Sequence, residues 1–273
     1  MPDLRVLTRS DAPSIARLLD ARPVDNVFVN SRFQKQGVNR FGNPLIGWFD
    51  QGRLLSVLSD GYTLSPIAAT PEALVAFARL GERRRANSIV GWRDDAIGLW
   101  QELCQRNFTQ WASPRQVRDH QLVMTIDRPT GLDCPFDVAP VGSRHAESYG
   151  AAAVAMYTEE VGVAPLDLIG YRGHVTGLMT RGSAWGLLVE GQVVFKADVV
   201  ADAGDIAQIG GVWLTPSWRG RGLSIPLMAG VVDGVRQRWP VVTLYVNPWN
   251  RPAIACYQRV GFRQVSECAT VLY

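Results

Sequence analysis

Residues 215–227 place two glycines and two arginines between an apolar, strand-like run and a helix-like run. A loop that leads into a helix presents unpaired backbone N–H groups and the positive end of the helix dipole to an anion. Gly220 and Gly222 let the backbone approach an anion closely, and Arg219 and Arg221 add charge-assisted hydrogen bonds. The segment therefore predicts a phosphate-binding loop, with a basic nucleic-acid patch and a plain tight turn as the alternatives.

Two familiar phosphate-binding motifs do not fit this loop. A P-loop requires the pattern GxxxxGK[ST], and no Lys or Thr stands at the required positions. A dinucleotide-binding fingerprint requires a glycine where Ile225 stands, and it places its first glycine directly after the strand. A third pattern, [Arg/Gln]-x-x-Gly-x-[Gly/Ala], is matched by Arg219 and Gly222, with Ser224 in the place of the final small residue.

A second patterned segment lies downstream, in "LYVNPWNRPAIACYQRVGF". It fills the pattern N-x-x-A-x-x-x-Y-x-x-x-G-F with Asn250, Ala253, Tyr257, Gly261 and Phe262. With both segments in this order, the sequence resembles the GCN5-related N-acetyltransferases (GNAT superfamily), in which the first segment holds the pyrophosphate of an acyl-CoA. The resemblance covers roughly residues 135–273.

The resemblance implies acetyl-CoA as the acyl donor and assigns residues that bind it. Backbone groups of Val212, Trp213 and Leu214 would pair with the pantetheine arm as if it were an added strand. Gly210 and Gly211 predict a bulge or a close backbone approach in the same strand, with an ordinary buried strand as the alternative. A backbone N–H near Val212 would stabilise the oxyanion. The other implied CoA contacts are Arg219, Gly220, Arg221, Gly222, Leu223, Ser224, Asn247, Asn250 and Tyr257.

The resemblance also implies catalytic roles. Because a thiol has a pKa of about 8.5 and a phenol one of about 10, Tyr257 is the expected proton donor to the departing thiolate; a core aromatic is the alternative. Many members of the superfamily carry a carboxylate as general base where this chain has Gln208, which can hold a water instead. Glu159 and Glu160 are adjacent acids at a helix C-terminus, where the helix dipole disfavours negative charge. They are expected either to replace that base or to recognise a cationic acceptor. Asp205 is a further substitute for the base. A solvated loop is the alternative for the two glutamates.

Strands and helices must position these residues, and the hydrophobic periodicity predicts them. Three strands over residues 184–214 lead into the loop, and two helices precede them. In chain order the second half reads strand 136–141, helix 143–160, helix 165–182, the three strands, helix 222–239, strand 241–247, helix 252–260 and strand 267–273. The first half gives approximately the same order, with residues 26–37 ambiguous between helix and strand.

The fold class is expected to be α/β, and the resemblance implies two tandem GNAT-like domains whose mixed, mostly antiparallel sheets are flanked by helices. The expected domains are a degenerate N-terminal GNAT-like domain at 1–130 and an N-acetyltransferase domain at 135–273. Residues 65–74, where the first half would carry its own phosphate loop, contain no Arg-x-x-Gly. We therefore expect only the second half to bind acyl-CoA.

Composition restricts the other function classes. The net charge of +3 is small for a nucleic-acid-binding protein, no apolar run approaches the ~20 residues of a membrane span, and the first residues lack the apolar core of a secretion signal. We expect a cytoplasmic protein without nucleic-acid or membrane partners. The four cysteines and three histidines form no zinc-binding pattern, so no metal is expected. Lys35 and Lys196 are the only lysines, which coding bias explains.

The leading hypothesis is an acyl-CoA-dependent N-acyltransferase that acts by direct attack of a primary amine on the thioester. A non-catalytic acyl-CoA sensor or regulatory protein is the alternative, because Gln208 replaces the expected carboxylate. Transfer of an aminoacyl group from tRNA, a chemistry of related tandem folds, is opposed by the modest charge and by the Arg219 loop. The acceptor, a small molecule or a protein amine, and a homodimer are left open by the sequence.

Overall fold

The computed structural model describes residues 3–38, 44–82, 86–106 and 109–273. Within these residues the chain forms eight α-helices and twelve β-strands. The helices are α1 (Ala12–Asp20), α2 (Val27–Gln36), α3 (Pro71–Ala78), α4 (Arg93–Gln105), α5 (Ala146–Val161), α6 (Leu168–Thr180), α7 (Ser224–Arg236) and α8 (Arg251–Val260).

The strands stand among these helices in the order that the periodicity predicts. They are β1 (Asp3–Val6), β2 (Leu45–Asp50), β3 (Arg53–Ser59), β4 (Thr63–Ile67), β5 (Ser88–Trp92), β6 (Gln116–Ile126), β7 (Ala139–Pro140), β8 (Ala184–Val189), β9 (Gln192–Ala203), β10 (Ile206–Leu214), β11 (Val241–Val246) and β12 (Arg263–Leu272). The ambiguous segment at 26–37 is helix α2. Val27 and Val29 are β-branched residues, which favour strands, yet both are buried in this helix. Tertiary packing therefore overrides their local preference.

Contacts between residues divide the chain into two compact units. The first unit contains residues 1–123, 245–249 and 264–273. Its strand order is β1-β2-β3-β4-β5-β12, antiparallel except between β4 and β5. Helices α3 and α4 cover a core in which Phe77, Leu99 and Trp111 pack with Ala269 and Val271 of β12.

The second unit contains residues 124–244 and 250–263. Its strand order is β11-β10-β9-β8-β7, and only β10 and β11 run parallel. Helices α5 and α6 bury Tyr149, Ala153 and Leu178 against Ala184 of β8 and Val193 of β9. The structure thus has the expected fold class, with mostly antiparallel sheets flanked by helices.

The division by contacts differs from the linear division at 1–130 and 135–273. The last strand, β12, pairs antiparallel with β5, from Cys268 opposite Trp92 to Leu272 opposite Ser88. Residues 264–273 therefore group with the beginning of the chain rather than with the segment that precedes them. Such a pairing depends on residues about 180 positions apart, and local periodicity carries no information about it.

Candidate functional site

The predicted phosphate loop connects β10 to α7 in the second unit. A 3-10 turn over Pro216–Trp218 follows β10, and the loop then passes through Gly220 and Gly222, with φ angles of 73° and 74°. These are left-handed conformations that favour glycine. A Cβ added at either position would meet no described heavy atom within 4 Å. The backbone of the loop is therefore exposed to an incoming ligand.

The first turn of α7 lacks a side-chain cap. Leu223 occupies the N-cap position, and its apolar side chain accepts no hydrogen bond from the helix. The N–H groups of this turn therefore keep the anion-binding potential that a capped helix loses. Ser224, which replaces the expected small residue, hydrogen-bonds with the Cys256 thiol of α8. Burial raises the pKa of Cys256 to about 11, and the bond with Ser224 opposes this rise.

Arg219 is already paired within the second unit. Its Nε donates to the Leu214 carbonyl at 2.8 Å, and its terminal nitrogen lies 2.7 Å from Oε2 of Glu159. The other oxygen of Glu159 accepts from the indole Nε1 of Trp213 at 3.1 Å. Glu159, at the end of α5, therefore joins the phosphate loop to β10, and this pairing explains why an acid is placed at a helix C-terminus. Arg221, between the two glycines, is exposed.

Strand β10 contains the predicted bulge. Gly210 pairs with Asp198 of β9 and Trp213 pairs with Lys196, so three steps along β10 face two along β9. Gly211, inside the bulge, has a φ angle of 59°. The doubled glycine thus marks a true interruption of the ladder, as the sequence predicted.

The parallel ladder between β10 and β11 is short. It pairs Ile206–Gln208 with Val241–Thr243, while β10 continues to Leu214. The part of β10 that contains Val212 therefore lies beyond the ladder, where an extended ligand can pair with the strand edge. Gln208 is buried at the last pair of the ladder, beside the point where this edge begins.

Tyr257 is a buried residue of α8. Only 7% of its surface is exposed, and its ring centroid lies 5.8 Å from that of Phe262. Burial raises the pKa of the Tyr257 phenol, and Cys256 and Glu160 raise it further. The phenol is therefore a neutral hydrogen-bond donor at physiological pH, and Glu160 lies close enough to affect it electrostatically.

The two predicted asparagines fall in different units. Asn250 is the N-cap of α8, and its side chain accepts from the Ala253 N–H at 3.3 Å. Asn247 belongs to the first unit, where its Oδ1 accepts from the Gln121 amide at 2.9 Å. Asn250 thus has a local structural role, and Asn247 is held within a polar network of the first unit.

A buried ionic cluster lies next to the bulge, at residues that the sequence did not mark as part of a site. Lys196 and Asp198 of β9 form an ion pair of 2.6 Å, and the Tyr149 hydroxyl donates to Asp198 at 2.7 Å. The available signal was a lysine and an aspartate in the apolar run "VVFKADVV" of a chain with only two lysines. Coding bias explains the scarcity of lysine but not this buried position.

No group of three or more His, Cys, Asp or Glu side chains in the described ranges is arranged to hold a metal ion. Among the described helices, none is long and apolar enough to cross a membrane.

Comparisons with family models match both parts of the chain. Residues 188–271 match the family described as FR47-like protein, and residues 43–149 match a domain of unknown function, DUF4081. The first of these matches contains the bulged strand, the phosphate loop and α8. A comparison with curated protein sequences found no significant match.

Solved structures share the fold over the full length of the chain. A GCN5-related N-acetyltransferase from Sphaerobacter thermophilus has a TM-score of 0.63 at 16% identity and covers 99% of this chain and 94% of its own. A GNAT-family acetyltransferase from Colwellia psychrerythraea has a TM-score of 0.59 at 13% identity, with 99% of both chains covered. A tandem GNAT protein from the clavulanic acid biosynthesis pathway has a TM-score of 0.59 at 12% identity, with 99% and 98% covered.

The bulged strand, the short parallel ladder and the uncapped helix N-terminus define the chain as a protein of the N-acetyltransferase fold class. Residues 188–271 match the FR47-like family, and the chain as a whole shares the fold of the GCN5-related N-acetyltransferases.

Proposed function

We propose that the protein is an acyl-CoA-dependent N-acyltransferase that uses acetyl-CoA and transfers the acyl group directly to a primary amine. One observation carries the proposal. The loop with Gly220 and Gly222 in left-handed conformations leads into the uncapped N-terminus of α7, directly after a strand with a bulge. A pyrophosphate on the loop and a pantetheine arm along the strand edge would use both features at once.

In the proposed complex, Arg219 and Arg221 contribute charge to the bound pyrophosphate, and the backbone from Val212 to Leu214 pairs with the pantetheine amides. The backbone N–H of Val212 stabilises the oxyanion, an interaction of a kind that typically changes rates by ~10²-fold or more. The exposed state of the loop in the second unit supports this arrangement.

Tyr257 is proposed to donate to the thiolate of departing CoA. Its raised pKa keeps the phenol protonated, which preserves the donor but lowers its acidity, so hydrogen bonding to the sulfur contributes more than complete proton transfer. Gln208 holds the water through which the attacking amine loses its proton. Glu160, near Tyr257, attracts a cationic acceptor. A small-molecule or protein amine as the acceptor remains a prediction, and so does a homodimer.

The proposal is tested by isothermal titration calorimetry with acetyl-CoA. We expect binding by the unaltered protein and at least about tenfold weaker binding by Gly222→Ala, because a side chain strains the left-handed backbone and intrudes on the anion. Gly191→Ala is the matched control, since Gly191 has a φ angle of 78° and open space but lies in the β8–β9 turn. Absence of binding by the unaltered protein at millimolar acetyl-CoA rejects the proposal. Equal weakening in both variants rejects the loop as the site.

A non-catalytic acyl-CoA sensor is the second candidate, and two observations favour it. Gln208 stands where a carboxylate is common in the superfamily, and Glu159 is engaged by Arg219 and Trp213. A panel of small and peptide amines, assayed for released free thiol, separates the candidates. Steady amine-dependent release of CoA supports the transferase, and binding without release across the panel supports the sensor.

A further inference from the structure

We infer that Lys196 is a positioning residue for acyl transfer: from the buried side of the β10 bulge it holds the Gly211 carbonyl, and thereby aims the next backbone N–H at the thioester carbonyl. The inference rests on the proposed function and adds a residue that does not itself touch acetyl-CoA.

Lys196 is enclosed and directed at the bulge. Its side chain is 0% exposed, and Nζ donates to Oδ2 of Asp198 at 2.6 Å and to the carbonyl oxygen of Gly211 at 2.7 Å. A Cβ added at Gly211 would lie 2.5 Å from that Asp198 oxygen and 2.9 Å from Nζ. The ion pair therefore fills the space directly against the bulge, and only glycine leaves room for it.

The rest of the cluster fixes the lysine in place. Oδ1 of Asp198 accepts from the Tyr149 hydroxyl at 2.7 Å, and that hydroxyl also lies 3.0 Å from the Trp185 carbonyl oxygen. Nζ of Lys196 lies 5.3 Å from the centroid of the Tyr149 ring. Burial, followed by Asp198, raises the pKa of the Tyr149 phenol, so it remains a donor. The ammonium thus has its hydrogen-bond partners on β9 and in the bulge itself, and the Tyr149 ring of α5 lies beside it.

The bond to Gly211 has a direct geometric consequence. In a trans peptide the C=O and the following N–H point in opposite directions. A Gly211 carbonyl held by Lys196 therefore directs the Val212 N–H away from the buried cluster. Gly211 and Val212 lack register partners on β9 among the described pairs, so the orientation of this peptide depends on the cluster rather than on the ladder.

The choice of residue supports a positioning role. The chain uses arginine almost throughout, yet a lysine stands here. Lysine carries a compact ammonium with three donors, whereas arginine carries a larger planar guanidinium. Burying an ion pair is often no more stabilising than burying apolar residues of the same volume. A role in orienting one peptide accounts for an ion pair at this position where stability alone does not.

The test combines kinetics with infrared spectroscopy of bound [1-¹³C]acetyl-CoA. A hydrogen bond to the thioester carbonyl lowers its stretching frequency. In Lys196→Met we expect this frequency to rise, kcat to fall by about 10- to 100-fold, and KM for acetyl-CoA to change by less than about threefold. Lys35→Met is the matched control, because the other lysine donates to Ser31 Oγ at 3.1 Å on α2 of the first unit. It should leave both quantities unchanged.

A double variant separates orientation from stability. Lys196→Met alone leaves a buried carboxylate unpaired, whereas Lys196→Met with Asp198→Asn removes both charges and should regain thermal stability. We expect its kcat and carbonyl frequency to remain altered, since Gly211 still lacks its donor. Recovery of both in the double variant would overturn the inference, as would unchanged values in Lys196→Met. If the unaltered protein binds no acetyl-CoA, the proposed function is rejected. If the unaltered protein binds acetyl-CoA and transfers its acyl group, the variants test only the role of Lys196.

Discussion

Glu159→Gln is the substitution that tests the pairing of the phosphate loop most directly. Oε2 of Glu159 lies 2.7 Å from the Arg219 guanidinium, and Oε1 accepts from Trp213. Gln keeps the size of the side chain and an oxygen for the indole, but it removes the negative charge. An arginine that is paired with a carboxylate must exchange that partner for a phosphate when CoA binds. The variant should therefore bind CoA more tightly than the unaltered protein.

The exposure of the pair limits the size of the effect. The side chains of Arg219 and Glu159 are 44% and 43% exposed. Exposed ion pairs are worth about 0.2–1 kcal/mol, which corresponds to a roughly 1.5- to 5-fold lower Kd for CoA. The gain should shrink at ~1 M salt, where the screening length is about 3 Å. If Glu159 were instead the general base, kcat would fall by about 10²-fold or more.

Calorimetric titration of CoA at low and high salt, with kcat measured in parallel, resolves these outcomes. Glu190→Gln is the control for net charge, because Glu190 is an exposed acid in the β8–β9 turn of the same unit. Tighter binding only in Glu159→Gln, reduced by salt, supports competition for Arg219. An unchanged or weaker affinity, or an equal gain in the control, refutes the reasoning.

Three further changes have defined expected results. Tyr257→Phe should lower kcat by about 10²-fold with an unchanged Kd for CoA, measured by thiol release and calorimetry, and a smaller loss would remove Tyr257 as the donor. Burial raises the pKa of the Asp95 carboxyl to about 6, so its stabilising contribution is complete below the unfolded pKa and is lost as pH rises through about 6. The free energy of urea unfolding of Asp95→Asn relative to the unaltered protein should therefore increase by about 2 kcal/mol between about pH 4 and about pH 7, and a pH-independent difference would contradict this. Asn250→Ala should destabilise the protein by about 1 kcal/mol by removing the cap on α8, whereas Asn250→Asp should not; equal stability of the two variants would exclude the capping role.

Local sequence signals predicted most elements and the backbone of the candidate site. Gly220 and Gly222 indicated the loop, and Gly210 and Gly211 indicated the bulge. Both features depend on the residue at the position itself, because glycine adopts left-handed conformations and interrupts a ladder more readily than other residues. The order of strands and helices followed from periodicity, which depends only on near neighbours.

Contacts between distant segments could not be read in this way. The sequence suggested that Glu159 is a base or an acceptor site, and only the structure shows it between Trp213 and Arg219. It grouped the last strand with the second half, whereas β12 pairs with β5.

The sequence by itself determined that this chain carries a glycine-rich loop, a doubled glycine in the preceding strand and a helix that contains Tyr257, in that order. Tertiary structure decided which side chains those backbone features meet. Lys196 shows the difference. The sequence shows it only as a charged residue in an apolar, strand-like run, whereas the residues it contacts, Gly211 and Tyr149, lie 15 and 47 positions away along the chain. Burial without a partner is costly for a charge, so the identity of the partner, which the fold alone supplies, determines what that residue does.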